Sequence, residues 1–359
     1  HRWEKDDGGA FTKIWDEFCK EVYNTDSFKR KLPKETLIKR YQVAGVRSLL
    51  QLADHRASKR EAGNELAPLN YTFDYEFKHD SKRPVQQAAL EHSDKSEIIL
   101  RAPTGSGKTD AALLWAKEQI EKGFADRLVI AMPTRFTSTS LDLDISKDIS
   151  ATGLYHSSAW YARYKKEEDN ERVKEIIEAA RLLLMPATVT TIDHLLMALT
   201  GTREDHHSIF FSLMHSCVVI DEADFYDEFI QANITKLLEV IRVFDIRVMI
   251  MSATVPESAK DLYEIERVID PYTSKQAKKN TKAIEEANRK KCRIKIEGKI
   301  ENIEEIDDVL TSIIEQPSPC AIIYANTVNR ALEYLDWFKG KDVTPILYHS
   351  RFTEYDKKR

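Results

Sequence analysis

The chain has 359 residues, 42% hydrophobic and 31% charged, a globular balance with room for two or three cores and none of the bias of a disordered tail. Its net charge of −5 excludes a bulk basic binder of the histone kind but leaves local phosphate-binding grooves open. No apolar run approaches the roughly eighteen residues that cross a bilayer, and HRWEKDDGGA at the start lacks a signal-peptide pattern. A cytoplasmic protein without a membrane partner is therefore expected. Cys19, Cys217, Cys292 and Cys320 are far apart and form no CxxC pair, so they read as reduced and structural rather than as a disulfide framework or a zinc knuckle.

In chain order, residues 1–66 are helical in pattern, with apolar spacing in FTKIWDEFCKEV and VAGVRSLLQLA and no alternating strand run. Within them LLQLADHRAS ends an apolar stretch on Asp54 and His55. From residue 67 to 262 the texture changes. Short apolar runs, EIILRAP, RLVIAMPT, CVVIDEAD and RVMIMSAT, each end in a Gly, Pro, Thr or Asp cluster and alternate with helical stretches, the signature of a parallel sheet with helices on both faces. Residues 263–298 form a basic linker, in which Tyr272 to Lys295 hold nine Lys or Arg against two Glu. Residues 299–359 repeat the α/β texture in CAIIYANT and PILYHSRF and read as the start of a second α/β domain that is not completed.

RAPTGSGKTDAALLWAKEQI carries the sharpest chemistry. A buried strand leads into a loop with Gly105 and Gly107, then Lys108 and Thr109, then a helix with apolar residues at helical spacing. Glycines let backbone N–H groups close around phosphates at a helix N-terminus, so the loop residues Thr104, Gly105, Ser106 and Gly107 are candidate nucleotide contacts. Lys108 reaches the terminal phosphates, and the Thr109 hydroxyl can ligate Mg²⁺. Ala102 stands where the usual pattern has its first glycine.

CVVIDEADFYDE supplies the partner: a strand ending in Asp221, placed to hold Mg²⁺, and Glu222, placed to polarise an attacking water. The two motifs in this order, each on its own strand, point to a P-loop NTPase using ATP and Mg²⁺. Smaller motifs refine it. Gln86 in KRPVQQAAL can read adenine through its amide, and Ser252 and Thr254 in MSATVPE can sense the carboxylates and pass the nucleotide state along. MPTRFTSTS and VTTIDHLL place Thr134, Arg135, Thr190, Thr191 and Asp193 after strands, where they can hold phosphodiester oxygens.

Together these residues resemble the superfamily-two helicases: APTGSGKT is similar to motif I, PTR to Ia, TTID to Ib, DEAD to II, SAT to III and RPVQ to the Q motif. CAIIYANTVNRALEYLDWF resembles motif IV, and LYHSRF resembles a signature of one branch, the CRISPR-associated helicase-nucleases of type I systems, the Cas-three family. The resemblance implies a RecA-like first domain, an incomplete second RecA-like domain, and a preceding HD-type nuclease domain of which residues 1–66 are the C-terminal part. Asp54 matches that domain's last metal ligand, for a divalent transition metal; the His, His-Asp and His-His ligands have no counterpart upstream. His79 and Asp80 lie beside the Q motif, and His206 and His207 fall in what reads as a polar loop.

The implied function is ATP-driven translocation on single-stranded DNA, coupled to metal-dependent degradation of DNA displaced by a guide-RNA surveillance complex in antiviral defence. The chain reads as a fragment lacking the later motifs that resemble arginine fingers, and by itself it is expected to bind nucleotide and turn it over slowly. Two alternatives stand beside this reading. One is a DEAD-box RNA helicase or remodelling ATPase; the other is a truncated, non-catalytic docking module.

Overall fold

The computed structural model describes residues 34–63, 71–159, 171–223, 226–266, 268–272, 302–315, 321–341, 343 and 345–349. The FTKIWDEFCKEV stretch, the bulk of the basic linker, the second Asp of DEAD and the HSRF signature beyond its His lie outside these residues. The chain divides into two compact units, residues 1–289 and 290–359.

The first unit is built on a seven-stranded sheet in the order β3-β4-β2-β5-β6-β1-β7. The strands are β1 (Glu97–Arg101), β2 (Arg127–Met132), β3 (Thr152–Tyr155), β4 (Ala187–Thr191), β5 (Ser216–Ile220), β6 (Val248–Ser252) and β7 (Val268–Ile269). Every pairing is parallel. Such strands must be covered on both faces, which is why their sequences are continuous apolar runs.

Alternation sorts each side chain to one face or the other. Ile98, Leu100, Leu128, Ile130, Val219 and Met251 join one core cluster with Val85, Leu113 and Trp115 from α2 (Pro84–Glu91) and α3 (Lys108–Glu121). Their immediate neighbours Ile99, Val129, Val218 and Ile250 join the opposite cluster. Helices α6 (Ile192–Met197), α7 (Glu204–Leu213) and α8 (Glu228–Arg242) cover that second face, while α4 (Arg135–Ile145) and α5 (Glu171–Arg181) complete the unit with the short α9 (Ala259–Leu262). Each fully buried Leu or Ile contributes about 1.5–3 kcal/mol, so the two faces hold the sheet rather than any single contact.

The helical stretch before the sheet is α1 (Lys34–Glu61), and it is built into this unit. Leu37 and Ala44 enter the second-face cluster. Gly45 lies against the Phe211 ring, where an added Cβ would come within 2.8 Å, so a glycine here lets α1 and α7 approach closely. Arg40 is buried and donates to the carbonyls of Ala198 and Leu199 at the end of α6, with its guanidinium 4.1 Å from the Phe210 ring centre. His206 and His207, expected in a polar loop, are instead buried in α7, because that segment packs against α1 and has an apolar face.

The second unit contains a 3₁₀ turn (Ile303–Ile306), α10 (Asp307–Ile314) and α11 (Val328–Lys339). Thr327 caps α11 by accepting from the Arg330 N–H, and the Trp337 indole donates to Asp307 at 2.7 Å. The apolar runs expected as strands flank α11, but residues 321–325 and 345–349 take no regular element, and Ile322, Tyr324, Ile346 and Tyr348 are exposed. A strand exists only with a ladder partner, and no described residue pairs with them.

Candidate nucleotide and nucleic-acid site

All seven strands run the same way, so their C-terminal ends emerge on one edge, the place where open α/β sheets bind ligands. From β1 the chain enters the loop from Ala102 to Gly107. The Ala102 N–H donates to the Ser252 carbonyl at 3.1 Å, which continues the β1–β6 ladder by one bond. Gly105 and Gly107 have φ of 76° and 90°, the left-handed region that costs other residues free energy. Gly107 is doubly constrained, since a Cβ there would meet the Gln86 amide nitrogen at 2.7 Å.

Helix α3 begins at Lys108, whose Nζ donates to the carbonyls of Ala102 at 3.1 Å and Pro103 at 3.4 Å. The ammonium is thereby folded over the mouth of its own loop. Ser106 is buried and its hydroxyl donates to the Pro103 carbonyl at 2.7 Å, so its side chain holds the turn while Thr104 and Gly105 are exposed. Strand β5 delivers Asp221, whose N–H donates to Ala131 and whose carboxylate accepts from the Glu222 N–H at 2.7 Å. Glu222 has φ 52°, so the second carboxylate sits on a strained backbone at the strand end. Tyr226, held protonated by burial and by Asp221, donates to the Asp221 carbonyl at 3.4 Å.

These residues share one cavity of about 780 Å³, lined by Thr104, Gly105, Gly107, Lys108, Thr109, Asp221 and Glu222 on the loop and strand ends. Gln86 lines it from the first turn of α2, and Arg83 and His79 from the segment before that helix. A phosphate chain over the loop, with Thr109 and Asp221 as the residues that would hold Mg²⁺, fits this donor set: an ammonium and backbone N–H groups, a hydroxyl and carboxylates line the same cavity.

Gln86 is almost wholly buried. Its amide oxygen accepts from the Arg83 N–H at 2.8 Å, which caps α2, and its amide nitrogen lies 3.5 Å from Asp110. Tyr75 donates to the same Asp110 at 2.9 Å and stays protonated, through burial first and the Asp110 carboxylate second. Arg83 donates to the Gly105 carbonyl at 2.8 Å. Sequence reading passed over Arg83, Asp110 and Tyr75, although Arg83 opens the quoted RPVQ stretch and is its one charged residue.

Ser252 is buried at the end of β6, its hydroxyl accepting from the Thr254 N–H at 3.3 Å, and Thr254 is exposed. Strands β2 and β4 are neighbours, with Met132 opposite Thr191, so the exposed Thr134, Arg135 and Asp193 emerge on one side of the sheet end with Thr191 buried between the strands at their base. The Thr134 hydroxyl caps α4 by accepting from Thr137 N–H, and Arg135 is exposed with one nitrogen 3.3 Å from Ser157. Asp193 is exposed in the first turn of α6, where an ionised carboxylate favours the helix dipole but only accepts hydrogen bonds. Thr190 corrects its expectation: its side chain is fully buried and donates to the Tyr155 carbonyl at 2.8 Å, so it joins β4 to β3 and does not face a ligand.

Asp54 is exposed on α1, and among the described residues no group of three or more His, Cys, Asp or Glu is placed to hold a metal ion. Its neighbour His55 instead faces Glu178, as does Lys59. The described residues therefore do not fit a nuclease metal centre. Among them, no helix is long and apolar enough to cross a membrane.

The DEAD/DEAH box helicase family model matches residues 83–262. The chain is 28% identical over 280 residues to the putative CRISPR-associated nuclease/helicase Cas3 of Methanocaldococcus jannaschii, a match covering 76% of this chain and 38% of that protein. It is 30% identical over 274 residues to the CRISPR-associated nuclease/helicase Cas3 of Methanothermobacter thermautotrophicus, covering 72% and 31%. The crystal structure of T. fusca Cas3 shares the fold, with a TM-score of 0.60 at 20% identity over 80% of this chain and 39% of that one. The chain thus spans less than two fifths of each of these relatives. The family model covers half of the chain and includes the cavity residues Arg83, Gln86, Lys108, Thr109, Asp221 and Glu222. The chain belongs to the DEAD/DEAH box helicase family, and it is similar to the Cas3 nuclease/helicases.

Proposed function

We propose that this chain is the motor portion of a Cas3-type helicase, which hydrolyses ATP to move along single-stranded DNA beside a guide-RNA surveillance complex. The observation that carries the reading is the single cavity in which the glycine loop, Lys108, Thr109, Asp221 and Glu222 converge. The similarity to proteins named as CRISPR-associated nuclease/helicases supports the choice of system.

In this reading the loop N–H groups and Lys108 bind the β- and γ-phosphates, and Thr109 and Asp221 hold Mg²⁺. The ion supplies charge neutralisation between the phosphates when bound. Glu222 orients a water in line with the terminal phosphate and takes its proton. Gln86, fixed by Arg83 and Asp110, sets the α2 end of the cavity against the base, a positioning task consistent with its burial. Thr134, Arg135 and Thr191 hold the DNA backbone two strands away, and Ser252 and Thr254 report between the two ends. Residues 1–66 are read as the tail of a nuclease domain, 67–262 as the first RecA-like domain, 263–298 as a linker and 299–359 as part of a second such domain. Cutting at an HD centre requires ligands beyond Asp54.

The test is ATP hydrolysis by the complete protein with single-stranded DNA and with RNA of the same sequence. DNA should stimulate turnover at least tenfold more than RNA, and Lys108→Ala should abolish it. Equal or greater stimulation by RNA would replace this reading with an RNA-remodelling enzyme, and biological activity surviving Lys108→Ala would replace it with a docking module.

A further inference from the structure

Arg101 ends β1 immediately before the phosphate loop, a charged residue that follows the buried apolar run Ile98, Ile99 and Leu100. Its guanidinium makes three contacts. Nε donates to Asp270 at 2.8 Å, Nη1 to the Val255 carbonyl at 2.9 Å, and Nη2 to Glu257 at 2.7 Å. Asp270 is itself fixed, since its other oxygen accepts from the Tyr272 N–H at 2.9 Å.

The next residue makes a parallel bond: the Ala102 N–H donates to the Ser252 carbonyl at 3.1 Å. Two consecutive residues of the loop strand therefore grip both ends of the Ser252–Val255 turn. At the other side of Ala102, its carbonyl accepts from Lys108 Nζ at 3.1 Å. The two peptide groups that flank Ala102 thus join the ammonium on one side to the turn carrying Ser252 and Thr254 on the other. A phosphate taken by Lys108 competes with the Ala102 carbonyl for the ammonium's hydrogens, so nucleotide binding bears directly on the peptide that Arg101 precedes.

We propose that Arg101 is a positioning residue that couples the phosphate loop to the Ser252–Val255 turn, so that nucleotide and nucleic-acid occupancy influence one another. The inference rests on the motor reading above and extends it to a residue outside every helicase motif in the chain. A planar fork on two fixed acceptors, the Asp270 carboxylate and the Val255 carbonyl, suits this role: it locks the turn at a defined distance from the loop, which a flexible ammonium does not. Arg101 does not line the nucleotide cavity, and its acceptors Asp270, Val255 and Glu257 lie outside that lining as well.

The experiment uses the complete protein with Arg101→Gln, Arg101→Lys and Asp270→Asn. A fluorescent ATP analogue with Mg²⁺ reports nucleotide affinity, and ATPase rates with and without single-stranded DNA report coupling. Arg101→Gln should keep nucleotide affinity and DNA-free turnover within about threefold, while the DNA stimulation ratio falls about tenfold. Arg101→Lys should recover part of that ratio, and Asp270→Asn should lower it by a smaller factor, with Arg101 present but less well oriented. An unchanged ratio in folded Arg101→Gln overturns the inference. So does a loss of nucleotide affinity equal to the loss of stimulation, which would make Arg101 a support of the loop alone. If Arg101→Gln does not fold, Arg101→Lys and Asp270→Asn decide, and a wild-type ratio in both overturns it. Absence of DNA stimulation in the unaltered protein is a separate outcome that overturns the motor reading itself.

Discussion

The nucleotide end of the sheet and the α1–α7 contact hold charged side chains in opposite ways. At the nucleotide end, Lys108, Asp221 and Glu222 face a cavity, and the backbone is what positions them, through left-handed glycines and a left-handed Glu222. At the α1 contact, Arg40 is buried against backbone carbonyls at the C-terminal end of α6, where a cation is favoured by the helix dipole, and apolar neighbours enclose it. One region turns its charges toward a cavity. The other consumes its charge internally, and so it should govern stability rather than chemistry.

The largest effect should separate the two. Arg40→Ala leaves the buried Ala198 carbonyl and the partly buried Leu199 carbonyl without this donor and should cost on the order of 3–4 kcal/mol in denaturant unfolding. Nucleotide affinity of the remaining folded protein should stay within about twofold, and a loss below about 1 kcal/mol would show that the α1 contact is dispensable. Lys108→Ala should do the reverse. It should lower affinity for an ATP analogue roughly 100-fold, near 3 kcal/mol, with little change in unfolding.

Acid should act through buried histidines. His194 is enclosed beneath the Tyr155 ring with its Nε2 2.8 Å from the Arg181 carbonyl, and burial lowers its pKa to about 4. The unfolded chain, with an ordinary imidazole pKa near 6.5, then binds more protons than the folded one between these values. Stability is therefore full above about pH 6.5 and falls as pH drops toward 4, by about 2 kcal/mol from pH 7 to pH 5 for this residue. His194→Gln should flatten that slope, and an unaltered slope would assign the acid sensitivity elsewhere. The smallest effect concerns Thr190. Replacing it with Val should cost about 1 kcal/mol and leave DNA affinity unchanged, whereas a tenfold loss of DNA binding would return it to the nucleic-acid face.

Much of the nucleotide end was legible in the chain because its requirements are local. A left-handed glycine, the lysine after it and a carboxylate ending an apolar strand are each fixed by neighbours within a few residues, so spacing alone reveals them. The α1 contact is made by Arg40, Tyr41, Arg47 and Lys59 meeting residues more than a hundred positions away, and in one dimension such residues read as a solvated face. Helix α1 was accordingly legible as a helix but not as part of the sheet unit. Thr190 failed for a related reason. A hydroxyl at the end of an apolar strand can face a ligand or bond to the neighbouring strand, and only the β3–β4 pairing decides between them. Gln86 was found by its motif, while its bonds to Arg83 and Asp110 depend on how α2 meets the loop.

The positive φ at Glu222 has a consequence for how this protein would change under selection. Any side chain there costs about 1 kcal/mol of backbone energy that glycine avoids. A screen rewarding heat resistance alone should therefore enrich Glu222→Gly, raising the melting temperature by about one degree. The same change removes the carboxylate proposed to act on water. Position 222 is then a place where thermostability and turnover pull a population of variants in opposite directions, and a library sorted for both should keep glutamate.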